Sequence, residues 1–216
     1  MNTHDERMSR FVEAGLYVVT SQEMSAGRNT LQVLSSILSA GVRLIQLREK
    51  NISKRQLFEL AGLVRKMTHD TGALLIINDH LDIALAVGAD GVHLGQDDLP
   101  ISAARKLAPD LILGASSHNI EEAIAAEKDG ASYVNIGPIY STGTKKWTSE
   151  YLGPASIRKI SEHINIPFTV MGGIKLKHID ELKSAGARII AVVTAVTAAT
   201  DPADAARSLM AGIKAT

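Results

Sequence analysis

The chain has 216 residues, of which 45% are hydrophobic, 21% charged and 4% aromatic, a composition typical of folded proteins and too apolar for a disordered one. Its 23 basic and 23 acidic side chains balance, so no overall charge attracts nucleic acid or an acidic membrane surface. The lack of cysteine excludes disulfides, thiolate metal sites and a cysteine nucleophile, and it agrees with a reducing compartment.

The first 15 residues contain acidic side chains and no apolar run of signal-peptide length. We therefore expect a short N-terminal helical extension and a cytoplasmic protein. The longest apolar runs, at 73–77 and 189–193, are far shorter than the ~20 residues that span a bilayer, so the sequence predicts no membrane span.

Eight short segments rich in Val, Ile and Leu recur along the chain, each bounded by Gly, Asp, Asn or Pro. Most are apolar on both faces, as is typical of parallel strands that are covered on each side. The segments are 16–20, 42–48, 73–79, 91–95, 111–117, 133–138, 168–173 and 189–194.

The segments between these strands carry helix signals. Ser53 and Asn119 are each followed three residues later by Gln or Glu, which predicts two capping boxes. Pro202 suits the first turn of a helix. A glycine that ends a helix just before a strand recurs at Gly41, Gly88, Gly130 and Gly186.

Eight strands that alternate with helices predict an α/β fold, a closed (β/α)₈ TIM barrel. We expect it to form one domain over residues 1–216, with compact loops because the chain is shorter than the ~250 residues typical of this fold. The alternative is an open doubly wound sheet, but no GxGxxG turn follows the first strand.

Polar residues follow four consecutive predicted strands, and the active site of such a barrel lies at the carboxyl ends of its strands. We therefore expect cations and carboxylates to converge on one rim. The residues are Gln46, Arg48, Glu49, Lys50, Asn78, Asp79, Gln96, Asp97, Asp98, Ser116, Ser117 and His118.

Two of these residues predict a metal site. Asp79 and Asp98 follow neighbouring strands and carry hard oxygen ligands, which favours a Mg²⁺ shared with substrate phosphates. Zinc is disfavoured, because the histidines near the strand ends lack a zinc-binding spacing and are better interpreted as structural; they are His80, His93 and His118.

The pattern also predicts two anion sites. Arg48 and Lys50 are two residues apart on an extended segment, so their side chains point to the same side and could hold a polyphosphate. A Gly-Gly pair at 172–173 and a Val-Thr pair at 193–194 end the last two strands, where such barrels often bind phosphate through backbone N–H groups. Two sites imply two phosphorylated substrates or one long one.

The segment 137–153 has no helix or strand pattern and is dense in Thr, Ser, Gly and Lys. This composition is typical of a mobile lid that closes over an anionic substrate and excludes water. The side chains expected to act in this way are Thr142, Thr144 and Lys145.

Four motifs are specific in combination because of their order and spacing: QLREK at 46–50, INDH at 77–80, ADGVHLGQDDLP at 89–100 and GPIYSTGTKK at 137–146. Together with MGGI at 171–174 and DPADAAR at 201–207, they resemble the thiamine-phosphate synthase family over nearly the whole chain. The resemblance implies a Mg²⁺-dependent transferase on a (β/α)₈ barrel. It would couple 4-amino-2-methyl-5-hydroxymethylpyrimidine diphosphate with 4-methyl-5-(2-hydroxyethyl)thiazole phosphate and release thiamine phosphate and pyrophosphate.

The resemblance also assigns roles to individual residues. Asp79 and Asp98 would bind Mg²⁺, and Gln46 would help to place the pyrimidine. The residues that would hold the diphosphate are Arg48, Lys50, Asn78, Ser116 and Lys145, and all of these except Asn78 form the predicted catalytic group. The residues that would face or receive the thiazole phosphate are Thr142, Thr144, Gly173, Val193 and Thr194.

The chain departs from the family pattern at several positions. Gly143 stands where an acidic residue or proline is commoner, and Arg188-Ile189 stands where Asp-Gly is usual; we expect these changes to affect the lid and the local packing. The expected partners are the two small substrates, without nucleic acid or membrane, and a homo-oligomer is left open. The alternatives are a thiazole tautomerase of the same superfamily and a catalytically silent phosphate-binding barrel.

Overall fold

The computed structural model describes residues 3–143 and 150–215. Within these residues, eight parallel strands pair in chain order, and β8 pairs with β1 to close a barrel. The strands are β1 (Leu16–Val19), β2 (Leu44–Leu47), β3 (Leu74–Asn78), β4 (Gly91–Leu94), β5 (Ile112–Ser117), β6 (Tyr133–Ile136), β7 (Phe168–Val170) and β8 (Ile189–Val192). Each lies inside a predicted segment. The TIM-barrel prediction is confirmed, and the open doubly wound sheet is wrong.

The first helix precedes β1, and the later helices follow the strands and pack on the outside of the barrel. In the described part of the chain the helices are α1 (His4–Glu13), α2 (Thr30–Ser39), α3 (Lys54–Thr71), α4 (Leu81–Ala86), α5 (Ile101–Leu107), α6 (Ile120–Lys128), α7 (Ala155–Ser161), α8 (Ile179–Ser184), α9 (Thr194–Thr197) and α10 (Pro202–Lys214). Short 3₁₀ turns lie at Gln22–Met24 and Leu176–His178. Among these described helices, none combines the length and apolarity that crossing a bilayer would require.

The predicted helix signals are confirmed with one exception. Ser53 forms a complete capping box with Gln56, Pro202 is in the first turn of α10, and the four predicted glycines have positive φ. At α6, however, only half of the capping box forms. Asn119 accepts from the Glu122 N–H, but the Glu122 carboxylate accepts from the backbone N–H of His118 instead of that of Asn119.

The barrel has a second, inner core in addition to the core between sheet and helices. The N-terminal extension α1 contributes Phe11 to it, whose ring centroid lies 4.4 Å from that of Tyr133. Ile189, one of the departures from the family pattern, is 2% exposed and belongs to this inner core, whereas Arg188 is exposed. The Ile189 departure is therefore a change in inner packing.

On several strands the inward-facing side chains change from apolar to polar toward the carboxyl end, and these side chains share a side because every second residue of a strand faces the same way. On β3, Leu74 and Ile76 belong to the inner core, and Asn78 lines the cavity above them. On β6, Tyr133 is in the inner core and Asn135 lines the cavity. The polar groups therefore gather at the carboxyl ends of the strands.

Candidate active site

A cavity of about 420 Å³ opens at the carboxyl ends of the strands. It brings together all the predicted site residues that the structure describes: Gln46, Arg48, Lys50, Asn78, Asp79, Asp98, Ser116, Thr142, Gly173, Val193 and Thr194. Thr144 and Lys145 lie outside the described residues. The individual roles of all these residues stay predictions.

Two residues of the predicted polar rim do not line the cavity. Glu49 accepts from the backbone N–H of Gln22 at 2.8 Å and from the Thr30 hydroxyl at 2.7 Å, so it joins β2 to the start of α2. Ser117 is fully buried and donates to the Asn119 carbonyl. Both side chains stabilise the surrounding structure, and the expectation that they join the rim is wrong.

Asp79 and Asp98 lie close together at one side of the cavity, where each carboxyl group shifts the pKa of the other. Asp79 has a φ of 63°, a left-handed conformation that Asp adopts more readily than most residues. Its Oδ2 accepts from Lys50 Nζ at 2.6 Å, and Oδ2 of Asp98 accepts from the Gly95 N–H at 2.7 Å. Both residues line the cavity, and their role as metal ligands stays a prediction.

The pair has opposed pKa shifts. Burial raises the pKa of Asp79, but hydrogen bonds from Lys50 and Asp98 outweigh this effect and leave the pKa below its usual value. Burial raises the pKa of Asp98 as well, and although the Gly95 N–H opposes this, the neighbouring Asp79 carboxylate raises the pKa further. The repulsion between two neighbouring carboxylates therefore raises the pKa of Asp98 as long as no cation is bound.

The donor set at this position fits Mg²⁺. The two carboxylates offer hard oxygen ligands beside an open cavity, and Mg²⁺ commonly takes one or two carboxylates, water and substrate phosphate. A cation would also relieve the repulsion that raises the pKa of Asp98. No cluster of three or more acidic or histidine ligands exists within residues 3–143 and 150–215, so the rest of the coordination shell would come from water and substrate.

A chain of hydrogen bonds crosses the barrel beneath the cavity. Gln46 Nε2 donates to the Tyr17 hydroxyl at 2.8 Å, and this hydroxyl lies 3.0 Å from that of Tyr133. The Tyr133 hydroxyl lies 3.0 Å from His93 Nδ1, and His93 Nε2 lies 3.0 Å from Ser116 Oγ. Burial raises the pKa of both tyrosines well above its usual value, so both hydroxyls stay protonated. The chain links two predicted substrate-binding residues, Gln46 on β2 and Ser116 on β5.

The glycine pair after β7 is required by packing. Gly172 and Gly173 have φ of 108° and 64°, respectively, a region that glycine adopts without strain. A Cβ on Gly173 would lie 2.2 Å from the Ser141 carbonyl oxygen, and one on Gly172 would lie 2.6 Å from Pro138. The turn after β7 is thus held against the segment that follows β6, and both line the cavity.

Sequence reasoning missed several residues of the site. His93 is predicted to be structural, yet it lines the cavity and holds Ser116. Tyr17, Tyr133 and Asn135 have no predicted role. The available signal was a polar or aromatic side chain inside an otherwise apolar strand, as in YVNI at 133–136.

Comparison with known proteins gives one consistent family. The sequence model of the family described as "Thiamine monophosphate synthase" matches residues 16–196. A thiamine-phosphate synthase of Shouchella clausii is 44% identical over 200 residues, covering 92% of this chain and 96% of that protein. One of Methanospirillum hungatei is 46% identical over 197 residues, covering 91% and 96%.

A solved structure agrees with these sequence relatives. Thiamine phosphate pyrophosphorylase from Pyrococcus furiosus superposes with a TM-score of 0.87 at 35% identity, covering 95% of this chain and 98% of the other. The similarity extends over almost the full length of both chains. The chain therefore belongs to the thiamine monophosphate synthase family of transferases.

Proposed function

We propose that this enzyme couples 4-amino-2-methyl-5-hydroxymethylpyrimidine diphosphate with 4-methyl-5-(2-hydroxyethyl)thiazole phosphate, forming thiamine phosphate and pyrophosphate. The observation that carries the proposal is the cluster of Lys50, Asp79 and Asp98 in the same cavity as Arg48 and Ser116. Such a set of cations, hydroxyl and metal-binding carboxylates suits a diphosphate leaving group. Action in the cytoplasm as one domain over residues 1–216, with homo-oligomerisation left open, is part of this proposal.

The diphosphate departs with its C–O bonding electrons, so negative charge grows on the leaving oxygen and positive charge grows on the pyrimidine methylene. Arg48 and Lys50 stabilise the leaving charge more strongly in the transition state than in the ground state. Ser116 donates a hydrogen bond to the diphosphate, and Lys145 adds a second ammonium. Mg²⁺ held by Asp79 and Asp98 would supply further charge neutralisation and orient the phosphate oxygens.

The aminopyrimidine ring delocalises the positive charge, which favours a dissociative displacement in which the thiazole nitrogen captures the carbocation. No protein nucleophile is needed. Gly173, Val193 and Thr194 line the opposite part of the cavity from Lys50 and Asp79 around the barrel, and their backbone would receive the thiazole phosphate. Binding both substrates in one cavity aligns the thiazole nitrogen with the methylene and keeps water away from the cation.

The direct test supplies the purified enzyme with both substrates and measures thiamine phosphate and pyrophosphate, with Mg²⁺ and with excess chelator. We expect both products in equal amounts and only with Mg²⁺. Asp79→Ala and Lys145→Ala should each lower turnover by orders of magnitude while the far-UV circular dichroism spectrum is unchanged.

Other outcomes identify the alternatives. Normal turnover in both variants would contradict the assignment of the metal and diphosphate residues. Substrate binding without product would favour a silent barrel or the tautomerase, and isomerisation of the thiazole carboxylate phosphate by the same preparation would separate these two.

A further inference from the structure

Asn135 is a buried polar residue at the bottom of the cavity, and the function proposed above gives it no role. It lies on β6 in register with Ser116 of β5 on one side and Thr169 of β7 on the other. Its side chain lines the cavity although the residue is only 8% exposed. Polar side chains that are this deeply buried are hydrogen-bonded to the protein, to water or to a ligand.

The neighbouring threonine fixes the orientation of the Asn135 amide. The hydroxyl of Thr169, which is fully buried, donates to Asn135 Oδ1 at 2.8 Å. If the amide were rotated by half a turn, its NH₂ group would donate to this hydroxyl, and the hydroxyl proton would lose its acceptor. Among residues 3–143 and 150–215, Asn135 is the sole side-chain partner of that hydroxyl, so the rotated orientation would leave a buried donor unsatisfied.

The other end of the amide faces the cavity as a donor. Asn135 Nδ2 carries two N–H groups, and neither forms a hydrogen bond with any part of the protein that the structure describes. The cavity therefore presents an oriented, donor-only group between the serine of β5 and the glycine turn after β7. A substrate that binds there should offer it an acceptor.

We propose that Asn135 donates a hydrogen bond from Nδ2 to a ring nitrogen of the pyrimidine substrate. The inference rests on the proposed function and adds a specificity-determining residue to it. The pyrimidine has two ring nitrogens with lone pairs in the plane of the ring, whereas the thiazole has one nitrogen, which must keep its lone pair for the attack. A donor bound to the thiazole nitrogen would block the reaction, so of the two rings the pyrimidine is the one that can accept this hydrogen bond.

This contact binds the substrate without accelerating the chemical step. As the C–O bond breaks, the ring becomes cationic and its nitrogens become poorer acceptors, so the hydrogen bond is stronger in the ground state than in the transition state. Interactions of that kind lower KM and do not raise kcat. Loss of the Asn135 donor should therefore raise KM for the pyrimidine diphosphate and leave kcat unchanged or slightly higher.

The experiment compares Asn135→Ala, Thr169→Val and the double variant with the wild type in steady-state assays in which each substrate is varied. Asn135→Ala should raise KM for the pyrimidine diphosphate about 3- to 10-fold, as expected for one neutral hydrogen bond. KM for the thiazole phosphate should stay within about twofold of the wild-type value, because the lost hydrogen bond belongs to the pyrimidine substrate alone. Thr169→Val should raise the same KM by a smaller factor, and it should add nothing in the Asn135→Ala background if it acts only by orienting the amide.

Thr68→Val is the matched control, since Thr68 is also fully buried and its hydroxyl donates to the Arg65 carbonyl on α3, outside the cavity. It should change neither KM. The inference is wrong if KM for the pyrimidine diphosphate is unchanged in Asn135→Ala, if KM for the thiazole phosphate rises instead, or if Thr169→Val has the same effect with and without Asn135.

Calorimetric titration with the pyrimidine diphosphate alone separates this inference from the proposed function. If the wild type forms no thiamine phosphate, the proposed function fails, and weaker binding to Asn135→Ala than to the wild type would still support the contact. Equal binding would overturn it. Thr169→Val leaves Asn135 in place, so it tests the contact even if Asn135→Ala lowers the thermal stability.

Discussion

The contact between Asp79 and Asp98 has a cost that the metal would remove. Lys50 stabilises the charge on Asp79, whereas burial and the neighbouring carboxylate raise the pKa of Asp98. A pKa that is higher in the folded than in the unfolded chain means that ionisation of Asp98 destabilises the fold as pH rises through the folded value. Without a bound cation, the folded protein is therefore less stable at neutral pH than it would be with a neutral side chain at position 98.

Asp98→Asn should accordingly stabilise the metal-free protein and inactivate the enzyme. We expect Tm in the presence of chelator to rise by no more than about 4 °C at pH 7, because the pair is partly screened by solvent. The kcat/KM value should fall by at least ~100-fold through loss of a metal ligand. Calorimetry at pH 7 and at pH 4 checks the sign: the difference in Tm should shrink at the lower pH, where a larger fraction of Asp98 is protonated.

In the wild type, activity at limiting Mg²⁺ should fall as pH drops through the raised pKa of Asp98, because the ligand must be ionised. Saturating Mg²⁺ should move this loss of activity to lower pH. A decrease that is independent of Mg²⁺ concentration would contradict the assignment of Asp98 as a metal ligand.

The buried hydroxyl of Tyr133 should affect catalysis indirectly, by helping to position Ser116. Tyr133→Phe keeps the ring that packs on Phe11 but removes the hydrogen bond to His93, which in turn holds Ser116. We expect kcat/KM to fall about 10-fold, the effect of one or two buried hydrogen bonds. In a Ser116→Ala background the same change should have little further effect, and an undiminished loss there would show that Tyr133 acts by another route.

At the scale of elements, α1 closes the barrel at the end opposite the cavity. Phe11 is fully buried against the Tyr17 and Tyr133 rings, with centroid distances of 6.2 and 4.4 Å. Arg7 donates to the Asp110 carbonyl at 2.6 Å, which joins α1 to the segment before β5. Although α1 precedes the first strand, it is part of the inner core.

Phe11→Ala should therefore lower the free energy of unfolding by about 3–5 kcal/mol, the range for removal of a buried phenyl group. Val12→Ala is the control on the same helix, since Val12 is 48% exposed, and it should change this free energy by less than ~0.5 kcal/mol. Urea denaturation monitored by circular dichroism measures both. A loss below about 1 kcal/mol for Phe11→Ala would mean that α1 is dispensable to the core.

At the scale of the whole molecule, the cavity joins residues from all eight strand ends, from Val19 at the end of β1 to Thr194 after β8. A ligand that bridges several strand ends binds only the folded barrel, so it stabilises the whole fold by mass action. Mg²⁺ and pyrophosphate together should form such a ligand, because the metal needs both the Asp79–Asp98 pair and phosphate oxygens.

We expect Mg²⁺ with pyrophosphate, at ~100 times the dissociation constant, to raise Tm by about 5–10 °C. Either component alone should have a much smaller effect, and Asp79→Asn should abolish the combined shift. Differential scanning calorimetry gives the answer without any turnover. A rise in Tm for Asp79→Asn equal to that of the wild type would show that pyrophosphate binds elsewhere.

Most of the fold could be predicted because its signals are local. Each strand segment is apolar on both faces and bounded by turn residues, and the alternation with capped helices indicates a barrel. The polar rim could also be predicted, because its residues come at the carboxyl ends of parallel strands and these ends meet at one edge of the barrel. The sequence predicted a complete capping box at Asn119, but only half of it forms because His118 competes for the Glu122 carboxylate. The sequence pattern of a capping box does not include this contact.

The sequence by itself determined the order of the elements, the position of the polar rim and, through its motifs, the family. Only the tertiary structure decided that Phe11 closes the barrel, that Asp79 and Asp98 lie close enough to shift each other's pKa, and that Thr169 orients Asn135. The physical reason is the range of the interactions. Periodicity and capping act within a few residues, whereas these contacts join residues 19 to 122 positions apart along the chain and exist only once closure and register have aligned the strands.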